Sequence, residues 1–181
     1  MLFHGAGGDR DHRLFLELEA NLGKPVARVN FPYREKGPGR RPPDRMPKLI
    51  ETVNDAVAQA ASKWGIRQSR VAVGGRSMGG RAASMALADG LHAAALVLLS
   101  YPLHPPGKPE KLRVDHFPGV TKPVLLVQGR KDPFGTPEEF DAHLPAIAAP
   151  VTELWVDGGH DPKPAYDEEI VAAVRAFLAD L

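Results

Sequence analysis

The chain has 181 residues, 43% hydrophobic and 25% charged, with a formal net charge of +1. That length suits one domain over residues 1–181 with a sizeable core, and the composition excludes a disordered chain. The charge leaves no global basic field for nucleic acid, and the absence of cysteine excludes disulfides, thiolate metal sites and a cysteine nucleophile.

The amino terminus has no basic segment followed by an apolar one, and the longest apolar run, 93–99, is far below the ~20 residues of a membrane span. A soluble cytoplasmic protein with no membrane or nucleic-acid partner is expected, its oligomeric state (monomer or homodimer) left open. In chain order, short Val- and Leu-rich runs predict strands over 1–3, 26–31, 70–74, 94–100, 124–128 and 151–156. They lack polar alternation, as parallel strands buried on both faces do. The first has about three residues, against a usual five or six.

Amphipathic segments alternate with these strands. The first carries Leu14, Phe15, Leu18 and Leu22 and stops at Gly23; the second runs from Leu49 to Trp64 and stops at Gly65. A third opens at Ser77 and ends at Gly90. Thr136-Pro137-Glu138-Glu139 has the form of a capping box, and the last helix spaces Tyr166, Ile170, Val174 and Phe177 at helical intervals. The alternation predicts an α/β fold: a doubly wound, mostly parallel sheet of about six strands with helices on both faces. Two Pro-rich stretches, 32–47 and 102–123, interrupt it, each leaving the carboxyl end of a strand, where such sheets bind ligands.

Gly75-Arg76-Ser77-Met78-Gly79 follows a strand and opens a helix, the context that projects a serine hydroxyl above a sheet. Ser77 is the candidate nucleophile, and the Met78 N–H lies at the helix start, where a developing oxyanion is stabilised. Of seven histidines, His160 directly follows the last strand in a Gly-Gly-His turn and is the candidate base. Asp132 follows the fifth strand and is the candidate orienting carboxylate, which completes a Ser–Asp–His order. His4-Gly5-Ala6-Gly7-Gly8 follows the first strand and offers the Ala6 N–H as a second oxyanion donor. Arg10 occupies the third glycine position of a dinucleotide loop, no phosphate loop is present, and Asp157, His160 and Asp161 fit a triad better than zinc, so neither cofactor nor metal is expected. His4, Tyr33 and His104 are weaker candidates for substrate contact. His12, His92, His116 and His143 read as surface residues. The cationic stretch Arg34, Lys36, Arg40, Arg41 and Arg45 reads first as a loop tied down by local carboxylates, and second as a site for a substrate carboxylate or phosphate.

These segments, together with Phe31-Pro32-Tyr33-Arg34, Tyr101-Pro102-Leu103-His104-Pro105-Pro106-Gly107 and Gln128-Gly129-Arg130-Lys131-Asp132-Pro133-Phe134-Gly135, resemble a family of small α/β hydrolases. The family is related to dienelactone-hydrolase-like proteins and extends to eukaryotic testis-expressed and chromatin-complex homologues. The resemblance spans essentially the whole chain. It implies a minimal α/β-hydrolase fold without a cap domain and supports Ser77, Asp132 and His160 as the triad. True dienelactone hydrolases use a cysteine, so that activity does not carry over. The family's usual strands before the His-Gly turn are missing or shortened here. The expected activity is cofactor-free hydrolysis of a small or short-acyl carboxylic ester. The alternatives are a thioesterase or acyltransferase on the same triad, or a non-catalytic interaction module.

Overall fold

In the computed structural model, which describes residues 1–36 and 41–181, the apolar runs form six parallel strands. These are β1 (Leu2–Phe3), β2 (Arg28–Val29), β3 (Val73–Arg76), β4 (Leu96–Leu99), β5 (Val124–Gly129) and β6 (Val151–Val156), in the order β2-β1-β3-β4-β5-β6. The six helices among the described residues are α1 (Arg13–Asn21), α2 (Pro32–Glu35), α3 (Met46–Trp64), α4 (Met78–Ala88), α5 (Pro137–His143) and α6 (Asp167–Ala179).

Because side chains alternate along a strand, β4 and β5 feed two cores at once. Leu96, Leu98, Val124 and Leu126 pack with α3, α4 and Phe140 of α5, whereas Val97, Leu99, Leu125 and Val127 pack with α1 and α6. Helices therefore cover both faces, and the central strands carry the continuous apolar runs that double burial selects. Fully burying each such Leu or Val contributes roughly 1.5–3 kcal/mol. The helix stops expected at Gly23 and Gly65 have φ of 71° and 63°, and Thr136 forms the capping box with Glu139.

The second and third strands differ most from the sequence reading. The third strand starts later, at Val73, because Gln68–Arg70 forms a 3-10 turn, and it runs on through two glycines to Arg76. Glycine suits this strand for its thinness: a Cβ on Gly74 would lie 2.0 Å from the Val97 carbonyl oxygen. The second strand shrinks to two residues at the sheet edge, and the chain then turns into α2, which opens on Pro32. The 102–123 segment carries one 3-10 turn, Phe117–Gly119, and no helix that forms a cap domain. Among the described residues, no helix is long and apolar enough to cross a membrane.

The strand order reverses direction between β1 and β3. Such a point leaves a crevice beyond the carboxyl ends of the two strands. The Gly5 turn leaves β1 there, and Ser77 leaves β3 beside it.

Candidate active site

Ser77 caps α4 with φ 52° and ψ −117°, a conformation that non-glycine residues rarely adopt. Its N–H donates to the Leu99 carbonyl at 3.0 Å, and its carbonyl accepts the Arg81 N–H at 3.0 Å. Such strain costs of order 1–3 kcal/mol and persists only where the surroundings impose it. Here β1 imposes it. A Cβ on Gly75 would lie 2.2 Å from the Phe3 carbonyl oxygen, and one on Gly79 would lie 2.0 Å from the same atom. The glycines on either side of Ser77 let the elbow wrap the end of β1, which sets the serine beside the following turn. A Cβ on Gly5 would stand 3.4 Å from the Ser77 Cβ.

Three chain segments converge on the hydroxyl. His160 Nε2 accepts from Ser77 Oγ at 2.8 Å, and His160 Nδ1 donates to Asp132 Oδ2 at 2.8 Å. Asp132 is buried, and its oxygens also accept from Gln128 Nε2 at 2.7 Å and from the Phe134 N–H at 2.9 Å. Every donor to this carboxylate is thus a fixed neighbour, as a buried charge requires. The sequence-predicted Ser77, Asp132 and His160 are therefore within hydrogen-bond reach of one another although they are spread across 84 residues. Met78 begins α4, and Ala6 lies in the turn closed by the Gly8 N–H on the Gly5 carbonyl at 3.1 Å.

The weaker candidates are engaged by the fold. His4 is buried, donates from Nδ1 to the Gly5 carbonyl at 2.8 Å and accepts the Phe31 N–H at Nε2 at 3.1 Å. With both ring nitrogens occupied it braces the turn that follows β1 and has no polar atom for a substrate; burial, the largest influence, holds its pKa below the usual histidine value. Tyr33 is likewise buried and donates its hydroxyl to the Ala6 carbonyl at 3.0 Å; burial pushes its phenol up to about 12. His104 is buried, with Nδ1 on the Pro105 carbonyl at 2.8 Å and Nε2 on Glu139 at 3.2 Å. All three correct the expectation of substrate contact: they fix loops. His116, expected at the surface, is half-buried against Ser84 at 2.8 Å, and burial followed by the Arg81 charge lowers its pKa to about 4. In the cationic stretch, Arg34 pairs with Asp9 at 3.2 Å and Arg41 donates to the Lys36 carbonyl at 2.8 Å; Arg40 lies outside the described residues.

Two residues that sequence reasoning passed over shape the site. Phe134 stacks on the His160 ring, with centroids 4.1 Å apart. Arg76 donates to the His160 carbonyl at 3.0 Å and pairs with Asp161 at 3.3 Å, tying the elbow to the histidine turn. Their signal lay in the motifs themselves: Arg76 is the second residue of the elbow, and Phe134 stands two residues after Asp132. A cavity of about 630 Å³ opens between Met1, Leu22, Trp64 and Leu178, and none of the three converging residues lines it. The convergence locates the candidate site, because that cavity wall supplies no such arrangement.

Fold and site together define a protein of the α/β-hydrolase type. An α/β-hydrolase-domain family model matches residues 1–174, and the chain belongs to this family. The chain is similar in structure to an esterase from Pyrococcus furiosus, at TM-score 0.80 and 18% identity over 99% of this chain and 82% of that one. It is also similar to a monoacylglycerol lipase from Paleococcus ferrophilus, at TM-score 0.75 and 15% identity over 99% and 93%. Puromycin hydrolase matches at TM-score 0.60 and 22% identity over 72% of this chain, which spans only 25% of that protein's length.

Proposed function

We propose that this protein is a serine hydrolase that cleaves small or short-acyl carboxylic esters through an acyl-enzyme. The observation that carries the reading is the unbroken line of hydrogen bonds from Ser77 Oγ through the His160 ring to buried Asp132. A serine hydroxyl is a weak nucleophile until an adjacent base takes its proton. In the proposed reaction, Ser77 Oγ attacks the ester carbonyl while its proton passes to His160 Nε2. Asp132 holds Nδ1–H and stabilises the imidazolium. The Met78 and Ala6 N–H groups receive the oxyanion. His160 then protonates the departing alkoxide, and water, deprotonated by the same imidazole, releases the acid and restores Ser77. The short 102–123 segment leaves no cap over the serine, which favours short acyl groups.

An organophosphonate probe tests the reading directly. Covalent labelling at Ser77, abolished in Ser77→Ala, together with turnover of short nitrophenyl esters, is the expected result. A folded sample that neither labels nor turns over these esters overturns it. A parallel panel of short acyl thioesters separates esterase from thioesterase preference.

A further inference from the structure

α4 opens on Met78 directly after Ser77, and Arg81 lies on its first turn, donating its N–H to the Ser77 carbonyl at 3.0 Å. The helix is pinned at this level to the 102–123 segment. Ser84 Oγ bonds His116 Nε2 at 2.8 Å and donates to the Arg81 carbonyl at 2.9 Å. From the other side, buried Tyr101 donates its hydroxyl to the Arg113 carbonyl at 2.6 Å, and the Arg113 N–H donates to the Leu103 carbonyl at 2.9 Å. Arg81 and Arg113 therefore flank one seam between the nucleophile helix and the segment that occupies the cap position.

Both side chains are half-buried, and burial, followed by the Arg81 charge, lowers the pKa of Arg113. Elsewhere the partly buried arginines meet carboxylates, Arg13 with Asp167, Arg28 with Asp11 and Glu19, and Arg76 with Asp161. Among the described residues, Arg81 and Arg113 enter no ion pair, and the buried Arg81 Nε has no hydrogen-bond partner. Two like charges in a partly dry seam are unfavourable unless an anion sits with them.

We propose that Arg81 and Arg113 form an anion subsite one helical turn from Ser77, which receives the free carboxylate of a short dicarboxylic monoester. The planar guanidinium presents donors in the fork that a carboxylate accepts bidentately. This inference rests on the serine-hydrolase reading for its substrate, but the subsite's affinity for an anion can be measured without turnover.

The test has two arms. In the first, kcat/KM is compared for 4-nitrophenyl hemiglutarate and for neutral 4-nitrophenyl valerate, which has the same chain length. The expected preference for the anionic ester is roughly ten- to a hundredfold, and Arg81→Gln and Arg113→Gln each reduce that ratio at least tenfold. In the second, calorimetry measures glutarate and inorganic phosphate binding to the Ser77→Ala protein with and without Arg113→Gln. Glutarate binding lost with Arg113→Gln supports the subsite, even where phosphonate labelling has failed and the hydrolase reading has fallen. Binding of phosphate alone, or of neither anion, overturns the carboxylate assignment. A ratio unmoved by either substitution does so too, and Arg113, outside the helix, keeps the test open if Arg81→Gln does not fold.

Discussion

Gly129 ends β5 directly against the turn that delivers His160, and its replacement by alanine is a graded way to move the imidazole without touching it. A Cβ built there lies 2.3 Å from the Gly159 carbonyl oxygen and 2.6 Å from that of Gly158. Ordinary contact begins near 3.4 Å, so the turn must retreat by about 1.1 Å, the difference between 3.4 and 2.3 Å. It cannot do so freely, because Gly158 accepts the Lys131 N–H at 2.8 Å and Arg76 holds the His160 carbonyl at 3.0 Å. A displacement of about 1 Å at a reacting group costs roughly a hundredfold in rate, and overpacking of this kind costs roughly 1–3 kcal/mol of stability. Gly129→Ala is therefore expected to remain folded at 25 °C, to melt a few degrees lower, and to lose about two decades of kcat/KM on a short nitrophenyl ester.

Gly23→Ala is the matched control. Gly23 has φ 71° and open space around its Cβ position, so alanine there strains the backbone by about 1 kcal/mol and leaves the site alone. Melting temperature and ester kinetics on the two variants separate strain from misplacement. Wild-type kcat/KM in a folded Gly129→Ala protein would refute the reasoning, since it would mean that the His160 turn yields without moving the imidazole.

Three further outcomes are expected. Ser77→Ala and Ser77→Gly both lose at least ~10³-fold in kcat, but the glycine variant should be about 1 kcal/mol more stable than the alanine one, because only glycine is at ease at φ 52°; equal unfolding midpoints in urea would show that the elbow stores no strain. Phe134→Ala removes the stacked ring from His160, a contact worth about 0.5–1.5 kcal/mol, so kcat/KM should fall roughly 2- to 13-fold and recover in Phe134→Tyr. His116 has a folded pKa of about 4 against about 6.5 for an ordinary histidine, so the unfolded chain binds a proton that the native state refuses. Its neutral form stabilises the fold fully above pH 6.5, and that stability is lost as pH falls from 6.5 toward 4, by a few kcal/mol. Urea unfolding between pH 7 and 4.5 should show a shallower decline in His116→Gln than in the wild type.

Ser77, Asp132 and His160 were legible in the sequence because each constraint is local. A nucleophilic serine needs glycines two residues to either side, a strand before it and a helix after it, and those are adjacent in the chain. Asp132 and His160 stood out through their places after the fifth and sixth strands. The apolar runs likewise announced strands buried on both faces, although the third starts three residues later than the run suggests, because Gln68–Arg70 closes a 3-10 turn before it.

The roles of His4, Tyr33 and His104 were not legible in this way. Each is polar and lies in a loop near the sheet edge, which is how a substrate contact reads in sequence. Their partners are Phe31, Ala6 and Glu139, which lie 27 to 35 positions away. Whether a loop histidine faces a ligand or braces a turn depends on which distant donor the fold brings to its ring.

The sequence by itself determined the strand–helix alternation, the strained serine turn and the order of the three converging residues, because these follow from side-chain size and hydrogen bonding within a few positions. Only the tertiary structure decided the 2.8 Å line from Ser77 to Asp132, the Phe134 ring on His160 and the buried Arg81 Nε left without a partner. Those depend on sheet order, which places loops from β1, β3, β5 and β6 at one edge, and no local propensity encodes how far apart two such loops will stand.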